Sequence, residues 1–177
     1  METGKLLHVH NGVAAVGWRV WTVLDRPEGV RLGSVIHEGF WTPGQRAHAV
    51  CSLDEHHFAP NVRCNCGFHA VRDPVDAFTY LHGRDDPGTI CRILGEVLLS
   101  GRVAETERGW RGSESYPLRL YVRDPELAVA LASYDVPVLS PGCRSVTATS
   151  SDMDLAGSST NSESAARTRS SRTAASG

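Results

Sequence analysis

The succession of elements in this chain predicts an α+β fold with a small, predominantly antiparallel sheet and two short capped helices. Three observations carry the prediction. Val-, Trp- and Thr-rich stretches are punctuated by Gly and Pro turns; two helical segments each open on an Asp-Pro pair; and a Cys/His cluster stands where no periodicity is present. The 177 residues, 41% of them apolar, suit one domain with one modest core.

The opening, METGKLLHVHNGVAAVGWRV, breaks its apolar residues with histidines, asparagine and glycines, unlike the continuous core of a signal peptide. No run approaches the roughly 18 apolar residues of a spanning helix. The expectation is a cytoplasmic protein with no membrane partner. Order begins near residue 12. In GWRVWTVL, Trp18, Val20 and Thr22 alternate with Arg19, Trp21 and Val23, which predicts a strand with a buried face. DRPEG then turns the chain and VRLGSVI returns it, giving a β-hairpin. In GFWTPGQ, Pro43-Gly44 suits a type II turn, because Gly accepts the positive φ required there.

The next stretch, RAHAVCSLDEHHFAPNVRCNC, has no helical period and needs another source of order. Cys51, one of the pair His56 and His57, Cys64 and Cys66 lie within sixteen residues. Zinc takes four such N and S ligands tetrahedrally. Cys64 and Cys66 fall on one side of an extended chain, so both sulfurs can face one ion. Their Cys-x-Cys spacing is tighter than the familiar Cys-x2-4-Cys. Three thiolates fall short of the four that iron-sulfur clusters usually use, and His69 is a reserve ligand. An odd cysteine count of five fits a reduced compartment better than a disulfide framework. The competing reading is that these are small buried hydrophobes beside ordinary surface histidines.

Asp73 caps the following helix and Pro74 starts it, with Val75, Ala77, Phe78 and Leu81 as its apolar stripe. The same device recurs in RDPELAVALASY, where Asp124 caps, Pro125 starts, and Leu127, Ala128, Ala130, Leu131 and Ala132 form the buried face. Between the helices, TICRILGEVLLSGRVAETERGWRGSESYPLRLYV reads as strands bent or broken at Gly95 and Gly101. VPVLS is a short closing strand. Residues 1–140 therefore form one domain with a knuckle at 51–66. Residues 141–177, rich in Ser, Thr, Ala and Gly, read as a disordered tail in which Cys143 is no ligand.

A net charge of −2 offers no large basic face, so nucleic acid is unsupported as a partner. There is no phosphate-binding glycine loop and no serine nucleophile elbow, and no catalytic residue is assigned. GRDDPG has adjacent carboxylates without further spaced oxygen ligands, the pattern of a solvated turn. Arg108, Trp110 and Arg111 in ERGWRG suggest a cation-π patch for a protein or a single strand.

WRVW, WTPGQ, CNCGFHAVRDPVDAFTYL and GEVLLSGRVAETERGWRGSESYPLRLYV together resemble a group of small, uncharacterised actinobacterial proteins with the same succession. The resemblance covers most of residues 17–138 and implies His57, rather than His56, as the histidine ligand. GFHAVRDPVDAFTY is similar to a step in phage proteins and, more remotely, in ADP-ribosyltransferases, where a strand enters a helix beside an NAD pocket. That likeness implies Arg19 on a phosphate or ribose, His69 and Tyr80 along the nicotinamide site, and Glu105 or Glu107 orienting the ribose. The main expectation is a zinc-stabilised binding module for an unknown protein or small molecule, held by Cys51, His57, Cys64 and Cys66. The alternative is an NAD-binding transferase.

Overall fold

The computed structural model describes residues 6–37, 39–54 and 56–140. The expected tail and Cys143 lie outside them. The described residues form an α+β fold dominated by antiparallel strands. In chain order they are β1 (Leu6–Asn11), β2 (Ala15–Leu24), β3 (Arg31–Ser34), β4 (Phe40–Trp41), β5 (Ala47–His48), β6 (Phe68–Val71), α1 (Pro74–Phe78), β7 (Thr89–Thr106), β8 (Gly109–Tyr121), α2 (Pro125–Leu131) and β9 (Val138–Leu139). Only β9 pairs in parallel, against the end of β8.

The expected hairpin is β2–β3, in register from Trp21 opposite Ser34 to Leu24 opposite Arg31. The turn after β4 closes through a Gln45 N–H to Thr42 C=O bond of 3.1 Å, with Gly44 at φ +74°. One strand precedes the expected start of order: β1 pairs with the far end of β7. Its own pattern is short and mixed, so its order comes from a partner about a hundred residues away. β7 is also one strand rather than several. It runs through Gly95 and bulges between Ser100 and Val103, where Gly101 takes φ +74°.

The sheet closes on itself. β7 pairs with β8, β8 with β6, β6 with β2, and β2 with β7. Such a circuit protects strand edges from foreign pairing. Its tightest point is β6, held to β2 by the single pair Val71–Trp18. A Cβ on Gly109 would stand 2.0 Å from the Ala70 carbonyl oxygen, and one on Gly17 would stand 2.8 Å from that of Val71. Glycine at both positions is what lets three backbones meet there.

Asp73 and Asp124 cap α1 and α2 as expected, each accepting a backbone N–H two residues on. The expected α1 stripe is corrected: Ala77 is buried, but Val75 is 62% exposed and Phe78 45% exposed. A helix of five residues barely exceeds one turn and cannot present a stripe reaching Leu81. In α2, Leu127 and Leu131 are buried, whereas Ala130 and Ala132 face outward. Trp21 and Trp41 meet edge to face in the core, 6.0 Å apart at 89°. Beside them the Tyr134 hydroxyl donates to the Trp41 carbonyl at 2.6 Å and accepts from the Leu32 N–H at 2.8 Å.

Candidate metal centre

The chain between β5 and β6 has no regular structure, and its order is local and polar. Asn61 accepts backbone N–H bonds from Arg63, through its side chain, and from Cys64, through its carbonyl. Gly67, at φ +108°, turns the chain from the Cys-x-Cys pair into β6, a conformation that L side chains rarely adopt. This path brings together one donor atom each from Cys51, His57, Cys64 and Cys66, all within 4.8 Å of one another.

The spacing is that of ligands around a shared ion. Cys51 Sγ lies 3.6 Å from Cys64 Sγ, and His57 Nε2 lies 3.3 Å from Cys66 Sγ. A disulfide needs about 2.05 Å between sulfurs. A tetrahedral ion with metal–sulfur bonds of about 2.3 Å puts neighbouring sulfurs about 3.8 Å apart and sulfur and nitrogen about 3.5 Å apart. The cluster could therefore hold a metal ion with little movement. His57, not His56, joins it. His56 contributes only its backbone N–H, to Asp54 Oδ1, and His69 turns its Nε2 to the Asn65 carbonyl at 3.0 Å, outside the set.

The residues around the four donors orient them. Asp54 Oδ2 lies 3.0 Å from His57 Nδ1, which leaves Nε2 as the ligating nitrogen, the carboxylate–histidine arrangement common behind metal-bound imidazoles. The backbone N–H of His56 and the His57 ring hold the Asp54 carboxyl below its usual range. Burial resists ionisation of Cys51, yet the backbone N–H groups of Leu53 and Asp54, with Cys64 and His57, outweigh it and bring the thiol down to about 7. Cys66 is pushed up to about 11, first by burial and then by the two neighbouring sulfurs.

Arg111 supports this loop from the sheet. Only 5% exposed on β8, it donates from Nη1 to the carbonyls of Cys64 and Cys66 and from Nη2 to that of Asn61. The expected patch of Arg108, Trp110 and Arg111 is thereby corrected. Neighbouring strand residues face opposite ways, so Trp110 and Arg111 cannot share a surface. Trp110 instead carries the Arg72 guanidinium 4.3 Å from its ring centroid, and Arg108, at the β7–β8 turn, bonds Asp76 at 2.6 Å. The alternation in GWRG held the signal for Arg111, and an acid three residues before His57 held the one for Asp54.

Beside the loop lies a cleft of about 120 Å³, with Arg19, Ser34, His37, Asn65, His69 and Tyr80 along it and Trp18 and Ile36 among its apolar walls. Arg19 reaches the His69 carbonyl at 2.7 Å and lies 5.0 Å from the Trp41 ring centroid. Burial drives its pKa down to about 10, which leaves it charged at neutral pH. His69 is driven down to about 4 by burial and by the neighbouring charges of Arg19 and Arg111, against the bond to Asn65, so it is neutral. Three of the four residues expected in an NAD pocket thus share one cleft. Glu107 does not: it is exposed at the β7–β8 turn, and Glu105 is paired with Arg72.

No protein-family model, curated protein or solved structure matches this chain.

Proposed function

We propose that this chain is a zinc-stabilised binding module, with Cys51, His57, Cys64 and Cys66 as structural ligands. The observation that carries the reading is the convergence of three thiols and one imidazole at ligand spacing, with Asp54 behind the imidazole. Three sulfurs and one nitrogen in a tetrahedral set match zinc, whose structural sites take Cys₃His ligation. Four protein ligands fill the coordination sphere, which suits holding a loop rather than activating a water. What the metal orders is one wall of the cleft, since Asn65 and Gly67, at the end of the loop, and His69, on the strand it feeds, belong to that lining.

Elemental analysis of the full chain, purified reduced and without added metal, tests the reading. About one zinc per chain is expected, lost on chelation together with part of the folded structure, because metal binding and folding are coupled in such sites. Cys66→Ser is expected to lose the metal and to melt at lower temperature. A metal-free protein that folds cooperatively, or a Cys66→Ser variant with unchanged metal content and melting temperature, refutes the proposal.

A further inference from the structure

Among the described residues, Arg19 has no carboxylate counterion. Buried charges are normally paired, yet its guanidinium has two protein partners for five N–H donors: the His69 carbonyl, and Ser34 Oγ at 3.4 Å. Its Nε is buried with no hydrogen-bond partner among the described residues. The cleft lining contains no Asp or Glu among the described residues. Other inward-facing arginines in this fold are satisfied: Arg92 by Asp85 and the carbonyls of Tyr80, His82 and Arg84, and Arg111 by three carbonyls of the metal loop. Arg19 lines the cleft together with His69 and Tyr80 and with the apolar Trp18, Val20 and Ile36.

We propose that this cleft binds a small organic carboxylate, its anionic group on Arg19 and its apolar body against Trp18 and Ile36. Guanidinium and carboxylate match in shape as well as charge, and their bonds are about twice as strong as neutral ones. A carboxylate fits better than a phosphate because the lining offers one guanidinium and no glycine-rich run of N–H groups, so a dianion keeps one charge uncompensated. The volume, about 120 Å³, is below the roughly 300 Å³ at which pockets for drug-sized ligands begin, so the body is about one ring in size. The proposal deepens the binding-module reading and rests on it to the extent that the metal loop forms one wall.

The test is a titration of the full chain with sodium benzoate, benzamide and inorganic phosphate, followed by backbone-amide chemical shifts, with metal content measured on the same sample. Benzoate is expected to move signals of residues 34–37 and 65–71 and to bind at least about tenfold more tightly than benzamide. Arg19→Gln is expected to abolish binding. Should that variant fail to fold, Ile36→Glu, at a position already 47% exposed, adds a repelling charge at the cleft and is expected to weaken benzoate at least about tenfold. Equal affinity for benzoate and benzamide, stronger shifts with phosphate, an unaffected Ile36→Glu variant, or no shift with benzoate at about 20 mM, a concentration that saturates even millimolar sites, each overturns the proposal. A zinc-loaded protein that ignores benzoate refutes the cleft and leaves the metal reading standing. A metal-free protein that binds it does the reverse.

Discussion

Replacing Arg111 by Met removes the tie between sheet and metal loop while keeping a flexible apolar side chain of similar length. Three hydrogen bonds to the carbonyls of Cys64, Cys66 and Asn61 disappear. Bonds to charged groups contribute about 1.5 to 3 kcal/mol each, so the gross loss is roughly 4 to 9 kcal/mol. Against that, the variant no longer buries a guanidinium, a relief of several kcal/mol, and the loop carbonyls regain some water. A net destabilisation of about 3 kcal/mol follows, which lowers the melting temperature of a domain this size by roughly 10 °C. Weakened support behind a ligand loop also costs about 10- to 100-fold in metal affinity. Thermal melts with and without chelator, plus competition for zinc against a chromophoric chelator, read both effects. The difference between wild type and variant should shrink when metal is removed, since the bonds act through the loop. A variant that melts within about 2 °C of wild type with unchanged zinc affinity refutes the reasoning, as does a loss that is the same with and without chelator.

Tyr134→Phe strands the Leu32 N–H and the Trp41 carbonyl in the core, and urea unfolding should show a loss of about 3 kcal/mol. Gly109→Ala drives a methyl into the Ala70 carbonyl, and a loss of about 3 kcal/mol, or failure to fold cooperatively, is expected in the same assay. His69 is neutral in the folded protein down to about pH 4 but titrates near 6.5 when unfolded. The unfolded chain therefore binds the extra proton between those values, and stability is full above pH 6.5 and falls as pH drops toward 4, by up to about 3 kcal/mol. His69→Gln should flatten that part of a stability–pH profile measured by urea unfolding; an unchanged slope shows that other groups set it.

The elements with local causes were legible in the sequence. An Asp-Pro pair that leads into apolar residues announces a helix start: Asp73-Pro74 and Asp124-Pro125 begin helices at the expected residues, whereas Asp86-Pro87, followed by Gly88, lies in a turn. The Cys/His cluster was legible too, because four unusual residues in a short aperiodic stretch have few other uses, and Cys51, His57, Cys64 and Cys66 do meet in a set that could hold a metal ion. What escaped depends on distance along the chain. Nothing in LLHVHN reveals that it pairs with β7, and nothing local to Phe68–Val71 reveals that it bridges β8 and β2. Arg111 was misassigned because ERGWRG was taken as a surface motif instead of a strand whose neighbours face opposite ways. The α1 stripe failed for the opposite reason, since a pattern was extended beyond the length that the helix attains.

The long reach of Arg111 sets what kind of unit the knuckle is. Its four donors are close in sequence, as in fingers that fold from an isolated peptide around their ion, but the carbonyls of the loop are held from a strand some fifty residues further on. A peptide cut from this region would carry every ligand and lack the clasp. The knuckle is therefore not a portable cassette: grafted into another scaffold, it would need a buried arginine waiting on the host's own sheet.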